Sequence, residues 1–135
     1  MAIKFIIERK ENQKAYGTIK WSEKKLESGA ISGPYGRGEL PEGLYHAKGN
    51  MLLDKPGKEG FCDSLRNCWF QVLEPQFSTI RTELGIHPDG NKIGTQGCIG
   101  LIDADTKSWY DAFKSLGKDN YVMVEVFDET KTHSI

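Results

Sequence analysis

Cys98 and His87 are the two residues of this chain whose types and spacing suit nucleophilic chemistry. They lie eleven positions apart in the segment 85–101, GIHPDGNKIGTQGCIGL. A free cysteine, with a pKa of about 8.5, is only a few per cent thiolate at neutral pH and needs a nearby base. Imidazole titrates near pH ~6.5, so it can take the thiol proton and later return one to a leaving amine. The pair predicts a cysteine enzyme that acts on an acyl bond.

The glycines around the cysteine support this interpretation. Gly97 allows a tight backbone turn, and the amides of Gly97 and Cys98 are predicted to face a developing oxyanion. Each residue has a structural alternative, because a lone cysteine in an apolar strand is usually a small core residue and a lone histidine is usually structural. The pattern alone leaves both interpretations open.

Length and composition predict one soluble globular domain over residues 1–135. The chain is 38% hydrophobic and 27% charged, and its formal net charge is −1. We therefore expect no nucleic-acid partner. The apolar stretch at the N-terminus is broken by Lys4 and closed by Glu8, which argues against a signal peptide, and no segment is long enough for a membrane span. These features predict synthesis in the cytoplasm without a Sec-type export signal, although a specialised secretion machine or lysis can carry such a protein elsewhere.

Short strands and one helix account for most of the hydrophobic pattern. A helix is predicted after residue 103, with Asp103 or Asp105 as N-cap, a stripe of Trp109, Phe113 and Leu116, and Gly117 at its end. The glycine-rich segment 27–50 is predicted to be loop-rich, with a strand that begins near residue 44. The other strands are predicted over residues 3–7, 14–21, 68–73, 82–87 and 121–127.

The remaining cysteines and histidines do not predict a metal site. Cys62 and Cys68 are six residues apart, and they either form a bridge across a turn or remain two ordinary thiols. The chain has no Cys-x-x-Cys pair, and His46, His87 and His133 are not at i, i+4 spacing. We expect no metal and no cofactor, and we interpret His46 and His133 as structural.

Residues 95–99 (TQGCI), preceded by residues 85–87 (GIH), resemble the active-site signature of the L,D-transpeptidase catalytic domain, the YkuD-like family. That signature has a histidine, a spacer, and then Ser/Thr-x-Gly-Cys followed by Ile or Val. Residues 40–45 (LPEGLY) are similar to the family's Pro-x-Gly-x-Tyr/Phe strand entry, and a helix and a final strand follow the cysteine in the expected order. The resemblance covers roughly residues 37–127.

The resemblance implies a mainly β fold, a YkuD-like β-sandwich or barrel with one or two short helices, that acts on peptidoglycan stem peptides. Cys98 would attack the L,D bond before the terminal D-alanine of a tetrapeptide stem, with His87 as general base and then acid. The thioester would pass to an amine, giving a cross-link or D-amino-acid exchange, or to water. Thr95 would steady the cysteine loop, and the Pro88 carbonyl or Asp89 would orient the imidazole, although Asp89 also suits a simple turn.

Two departures from the family pattern concern substrate binding. Gly100 stands where the family commonly has arginine, so Arg81 or Arg37 is expected to bind the substrate carboxylate. The spacer between histidine and cysteine is also short. A short spacer without a signal peptide is similar to L,D-transpeptidase-type effectors delivered by type VI secretion. That similarity implies action in the periplasm or cell wall, with an immunity protein or secretion machinery as further partners.

Two other functions fit the sequence. The first is an NlpC-like or papain-like amidase, in which Cys62 would pair with His87 at the start of a helix formed by residues 63–65. The second is a cell-wall-binding module without turnover.

Overall fold

The computed structural model describes residues 2–36, 38–90 and 93–131. Its described residues form one ten-stranded sheet, curled into a half-barrel, and one α-helix, which confirms the predicted mainly β fold with a short helix. The strand order is β5-β6-β8-β9-β3-β2-β1-β10-β4-β7. The strands are β1 Ala2–Glu11, β2 Lys14–Trp21, β3 Leu26–Ser32, β4 Gly43–Lys48, β5 Leu52–Asp54, β6 Trp69–Val72, β7 Glu74–Pro75, β8 Gly85–Pro88, β9 Ile99–Leu101 and β10 Tyr121–Asp128, and the helix is α1 Lys107–Lys114.

Alternating apolar side chains build the core on one face of the sheet. Strand β1 forms an antiparallel hairpin with β2 and pairs in parallel with β10, so Ile3, Phe5 and Ile7 point to the same side as the inward valines of β10. Helix α1 covers this face with Trp109 and Phe113, both buried. The central hairpin and the final strand therefore agree with the predicted alternation.

Several elements differ from the sequence prediction, and β3, β8 and α1 are the ones that bear on the site. Strand β3 lies in the segment predicted to be loop-rich, because its inward residues include small Ser28 and Ser32, which give no hydrophobic alternation. Strand β8 begins at Gly85 and not at residue 82. The N-cap of α1 is Thr106, while the predicted cap Asp105 accepts a hydrogen bond from the amide of Lys107 at 3.0 Å.

The pairing of β8 with β9 brings the two candidate catalytic segments together. These strands are parallel neighbours, with Ile86 opposite Ile99 and His87 opposite Gly100. Ile86 and Ile99 point into the core, so His87 projects from the other face of the sheet.

Two of the residues that the sequence analysis named, Arg37 and His133, lie outside the described residues. Within the described part of the chain, no helix has the length and apolar character needed to cross a membrane.

Candidate active site

Cys98 lies in a bend, one residue before β9. Continuing the strand register places Cys98 opposite Gly85, two positions along β8 from His87. The thiol is 7% exposed, and its Sγ donates a hydrogen bond to the Glu83 carbonyl at 3.4 Å. Cys98 is the free cysteine of the chain, since Cys62 and Cys68 form a disulfide. The fold thus places the predicted base on β8 and the predicted nucleophile directly before the neighbouring strand β9.

His87 packs against two phenylalanine rings that also contact each other. The Phe70 ring stacks on the imidazole with centroids 5.6 Å apart, and the Phe61 ring meets it edge-on at 4.8 Å. The ring nitrogen Nδ1 lies 2.7 Å from the Pro88 carbonyl oxygen. Because a carbonyl only accepts, Nδ1 must carry the hydrogen, and the Nε2 lone pair is the basic site. The Pro88 carbonyl is therefore the group that orients the imidazole.

Burial keeps both members of the pair neutral at rest. It lowers the pKa of His87 to about 4, against a smaller opposing effect of the hydrogen bond to Pro88. It also raises the pKa of Cys98 to about 11, and the Gly85 amide and the Arg81 charge offset only part of that rise. Among the described hydrogen bonds, the thiol donates to Glu83 and not to the imidazole. Proton transfer therefore requires the thiol to turn from Glu83 toward His87.

The raised pKa of Cys98 predicts slow alkylation at neutral pH. At pH 7 roughly one thiol in ten thousand would be ionised, and the iodoacetamide rate should climb about tenfold per pH unit toward pH 11. The rate is followed by intact mass from pH 6 to pH 11 without reductant. Protein unfolded in urea is the control, and its inflection should return to about 8.5. An inflection below about pH 7 in the folded protein would instead reveal a thiolate–imidazolium pair.

Two buried hydroxyls hold the main chain at the cysteine. The hydroxyls of Ser32 and Thr95 each donate to the Cys98 carbonyl at 2.7 Å. Thr95 Oγ1 also accepts hydrogen bonds from the amides of Gly33 and Gly97, each at 3.2 Å. Thr95 therefore lies where the predicted support of the loop needs it. The Gly97 amide, by contrast, donates within the loop to Thr95 Oγ1, and its oxyanion role stays a prediction.

The Arg81 guanidinium lies directly against Gly97. A Cβ atom at position 97 would come within 2.2 Å of Arg81 Nη2, the mobile end of a long side chain, whereas the φ of +118° at Gly97 is the feature that favours glycine. Arg81 also donates to the carbonyls of Gly38 and Glu39 at 3.3 Å. This arrangement places a positive charge beside the residue that precedes the nucleophile.

Gly100, where arginine was expected, leaves only a tight space for a side chain. A Cβ atom there would lie 3.0 Å from Asp89 Cβ, Asp89 Oδ1 and Thr95 Cγ2. Asp89 is itself fixed, because both of its carboxylate oxygens lie 3.3 Å from the Gly94 amide, and burial raises its pKa to about 6. Asp89 thus links the end of β8 to Gly94, and no turn is assigned at Asp89–Gly90.

Gly100→Arg should therefore destabilise the fold and should not restore the family's arginine. Crowding against Asp89 and Thr95 is expected to cost about 1–3 kcal/mol in the free energy of unfolding, measured by urea denaturation. Gly60→Arg is the matched control, because nothing lies within 4 Å of a Cβ atom at position 60. It should change stability by less than about 0.5 kcal/mol. Equal stabilities for the two variants would contradict the crowding at Gly100.

The structure does not support Cys62 as a nucleophile. Its sulfur is bonded to Cys68, and residues 63–65 form a turn instead of the helix that the amidase alternative requires. Asp63 occupies that turn and accepts hydrogen bonds from the amide and the hydroxyl of Thr106.

His46 stacks on Tyr121, with ring centroids 4.1 Å apart, away from the cysteine. Within the described residues, no group of three or more His, Cys, Asp or Glu side chains is arranged to hold a metal ion.

Sequence reasoning missed three residues that shape the site: Ser32, Phe61 and Phe70. Phe70 could have been found by pairing the strand at 68–73 with the strand that carries His87. Ser32 and Phe61 come from segments that read as loops, and no local signal links them to Cys98 or His87.

Comparisons with protein-family models, curated proteins and solved structures gave no match to this chain.

Proposed function

We propose that this chain is a peptidoglycan L,D-acyltransferase, an L,D-transpeptidase or L,D-carboxypeptidase that uses Cys98 as its nucleophile. The observation that carries the proposal is the pairing of β8 with β9, which sets His87 opposite Gly100, two residues after Cys98. Arg81 Nη2 packs against Gly97, the residue before the thiol. A nucleophile, a base and an anion-binding cation are the groups that acyl transfer from a carboxylate-terminated peptide requires.

In the proposed reaction, His87 Nε2 takes the Cys98 proton as Sγ attacks the carbonyl carbon of the L,D bond. The carbon–nitrogen bond of the tetrahedral intermediate then breaks, and the imidazolium gives its proton to the departing D-alanine amine. The acyl group remains on Sγ as a thioester. An amine or a water molecule then attacks the thioester, and the thiol is regenerated with the proton that the attacking group loses to His87.

Arg81 is the group proposed to recognise the D-alanine carboxylate. Guanidinium binds carboxylates through charge-assisted and often bidentate hydrogen bonds. Because Arg81 packs against Gly97, a D-alanine carboxylate bound to Arg81 would lie next to the Cys98 thiol. The scissile carbonyl would then be presented to Sγ. Arg81 would thus replace the arginine that is missing at Gly100.

The proposed site of action is the periplasm or cell wall, after specialised delivery. The Cys62–Cys68 disulfide is compatible with this, because such bonds persist in oxidising compartments. Stem peptides are the proposed substrate partner. Secretion machinery would deliver the protein, and an immunity protein would be a further proposed partner.

The test is incubation of the oxidised protein with tetrapeptide muropeptides, with mass spectrometry of the products. We expect loss of D-alanine, a cross-linked dimer or an exchanged D-amino acid. A muropeptide whose terminal carboxylate is amidated is the matched substrate, and it should react about tenfold or more slowly if one charged contact is lost. No product from either substrate would reject the proposed function, whereas equal rates would reject the role of Arg81.

A further inference from the structure

We infer that Ser32 is a positioning residue that couples the carboxylate-binding site to the nucleophile. This inference rests on the proposed function. Ser32 is completely buried at the end of β3, and its hydroxyl donates to the Cys98 carbonyl at 2.7 Å. The same oxygen accepts a hydrogen bond from the Leu40 amide at 2.8 Å. One side chain therefore joins the cysteine to the segment 38–40.

The segment 38–40 also holds Arg81. The carbonyls of Gly38 and Glu39 accept hydrogen bonds from the two terminal nitrogens of the guanidinium at 3.3 Å. The amide of the next residue, Leu40, is the donor to Ser32. The path from Arg81 to Cys98 thus runs through two backbone carbonyls, one amide and one hydroxyl. Arg81 Nη2 also packs against Gly97, so the path through Ser32 acts beside that direct contact and fixes the segment 38–40 relative to the cysteine.

Ser32 and Thr95 have different tasks in this arrangement. Both hydroxyls donate to the Cys98 carbonyl, but the other bonds of Thr95 Oγ1 go to the amides of Gly33 and Gly97. Loss of Ser32 leaves Thr95 to hold the cysteine and removes the hydrogen bond that ties the Leu40 amide, next to the carbonyls that bind Arg81, to the cysteine loop. Ser32 therefore sets the spacing between guanidinium and thiol, which determines how strongly the enzyme selects a substrate with a free terminal carboxylate.

Ser32→Ala tests this through the ratio of kcat/KM for the free-carboxylate and the amidated muropeptide. We expect the ratio to fall about tenfold, mainly through the free-carboxylate substrate, because a misplacement of about 1 Å can cost up to a hundredfold in rate. Ser32→Thr keeps the hydroxyl and should restore the ratio. Thr95→Ala should lower both rates together and leave the ratio unchanged.

Ser28→Ala is the matched control for the loss of a buried hydroxyl. Ser28 lies on the same strand and face, and among the described residues its hydroxyl bonds locally, to the Gly29 carbonyl at 2.7 Å. This variant should keep the wild-type ratio. If Ser32→Ala lowers both rates equally, or preserves the ratio, the coupling role is wrong and Ser32 is merely structural. A wild-type protein without activity would overturn the proposed function, and this inference with it.

Hydrogen exchange in the wild-type protein gives a second measurement if Ser32→Ala does not fold. Saturating D-alanine, which carries a free carboxylate, should slow exchange at the Leu40 amide, whereas D-alanine amide should not. The Ile102 amide, which bonds to the Gly29 carbonyl at 3.0 Å, is the internal control and should be unaffected by either compound. An unchanged Leu40 amide in the presence of D-alanine would overturn the coupling.

Discussion

Cys98→Ala is expected to abolish every product from tetrapeptide muropeptides, a loss of at least about a thousandfold in kcat. Without the thiol no thioester forms, and no other described cysteine replaces it, since Cys62 and Cys68 are bonded to each other. Product analysis by mass spectrometry measures the loss. Intact-mass measurement of the protein should show an acyl adduct in the wild type and none in the variant.

The control for this experiment is the double variant Cys62→Ser, Cys68→Ser. It removes the disulfide but leaves Cys98, His87 and Arg81 in place, so it should still form the acyl adduct. The amidase alternative makes the opposite prediction, because it assigns the nucleophile to Cys62. Activity retained in Cys98→Ala and lost in the double variant would reject the assignment of Cys98.

The main electrostatic feature of the site is that Cys98 and His87 are both neutral before substrate binds. Many reactive cysteines are thiolates stabilised by a cation, but here burial raises the pKa of Cys98 to about 11 despite the nearby charge of Arg81. Desolvation therefore outweighs the Coulombic effect. A thiol of this kind is inert until a substrate carbonyl is present, and the deprotonation must then be coupled to attack. This makes the orientation of His87 as important as its basicity.

The central elements of the fold follow from local patterns. Alternating residues predict the hairpin of β1 and β2 and the strand β10, and the spacing of Trp109 and Phe113 predicts α1. In each case the repeat of apolar residues matches the period of the element that buries them. Strand β3 is not predicted in this way, because its buried residues Ser28 and Ser32 are small and polar. Their hydroxyls donate hydrogen bonds to backbone carbonyls.

The candidate site is predictable only in part, because its surroundings depend on residues that are far apart in the sequence. The types and spacing of His87 and Cys98 indicate the chemistry, and an odd leftover cysteine is itself a signal. Their surroundings depend on contacts between residues far apart in the chain, such as the bond from Ser32 to Cys98, 66 positions away. Arg81 could be named as a candidate cation, but its position beside Gly97 follows from the carbonyls of the segment 38–40. Such contacts leave no periodic trace in the sequence.

His87→Asn is expected to lower kcat by about a hundredfold to ten-thousandfold while making the protein more resistant to acid. Asparagine can still donate to the Pro88 carbonyl from near the Nδ1 position, but it cannot take the thiol proton. The rate loss is measured with the muropeptide substrates. It should be accompanied by an unchanged alkylation rate of Cys98 at high pH, because the thiol remains in place.

The effect on acid stability follows from the low pKa of His87 in the folded state. This pKa is about 4 when folded and about 6.5 when unfolded, so below pH 6.5 the unfolded chain binds a proton that the folded protein does not. The contribution to stability is present above pH 6.5 and is lost as the pH falls through 4, up to about 3 kcal/mol. Urea denaturation at pH 7 and pH 4 should show a smaller loss for His87→Asn than for the wild type. His46→Asn is the control, because His46 lies on β4 and stacks on Tyr121; this variant should behave as the wild type. An equal loss of stability in acid for all three proteins would contradict a neutral, buried His87.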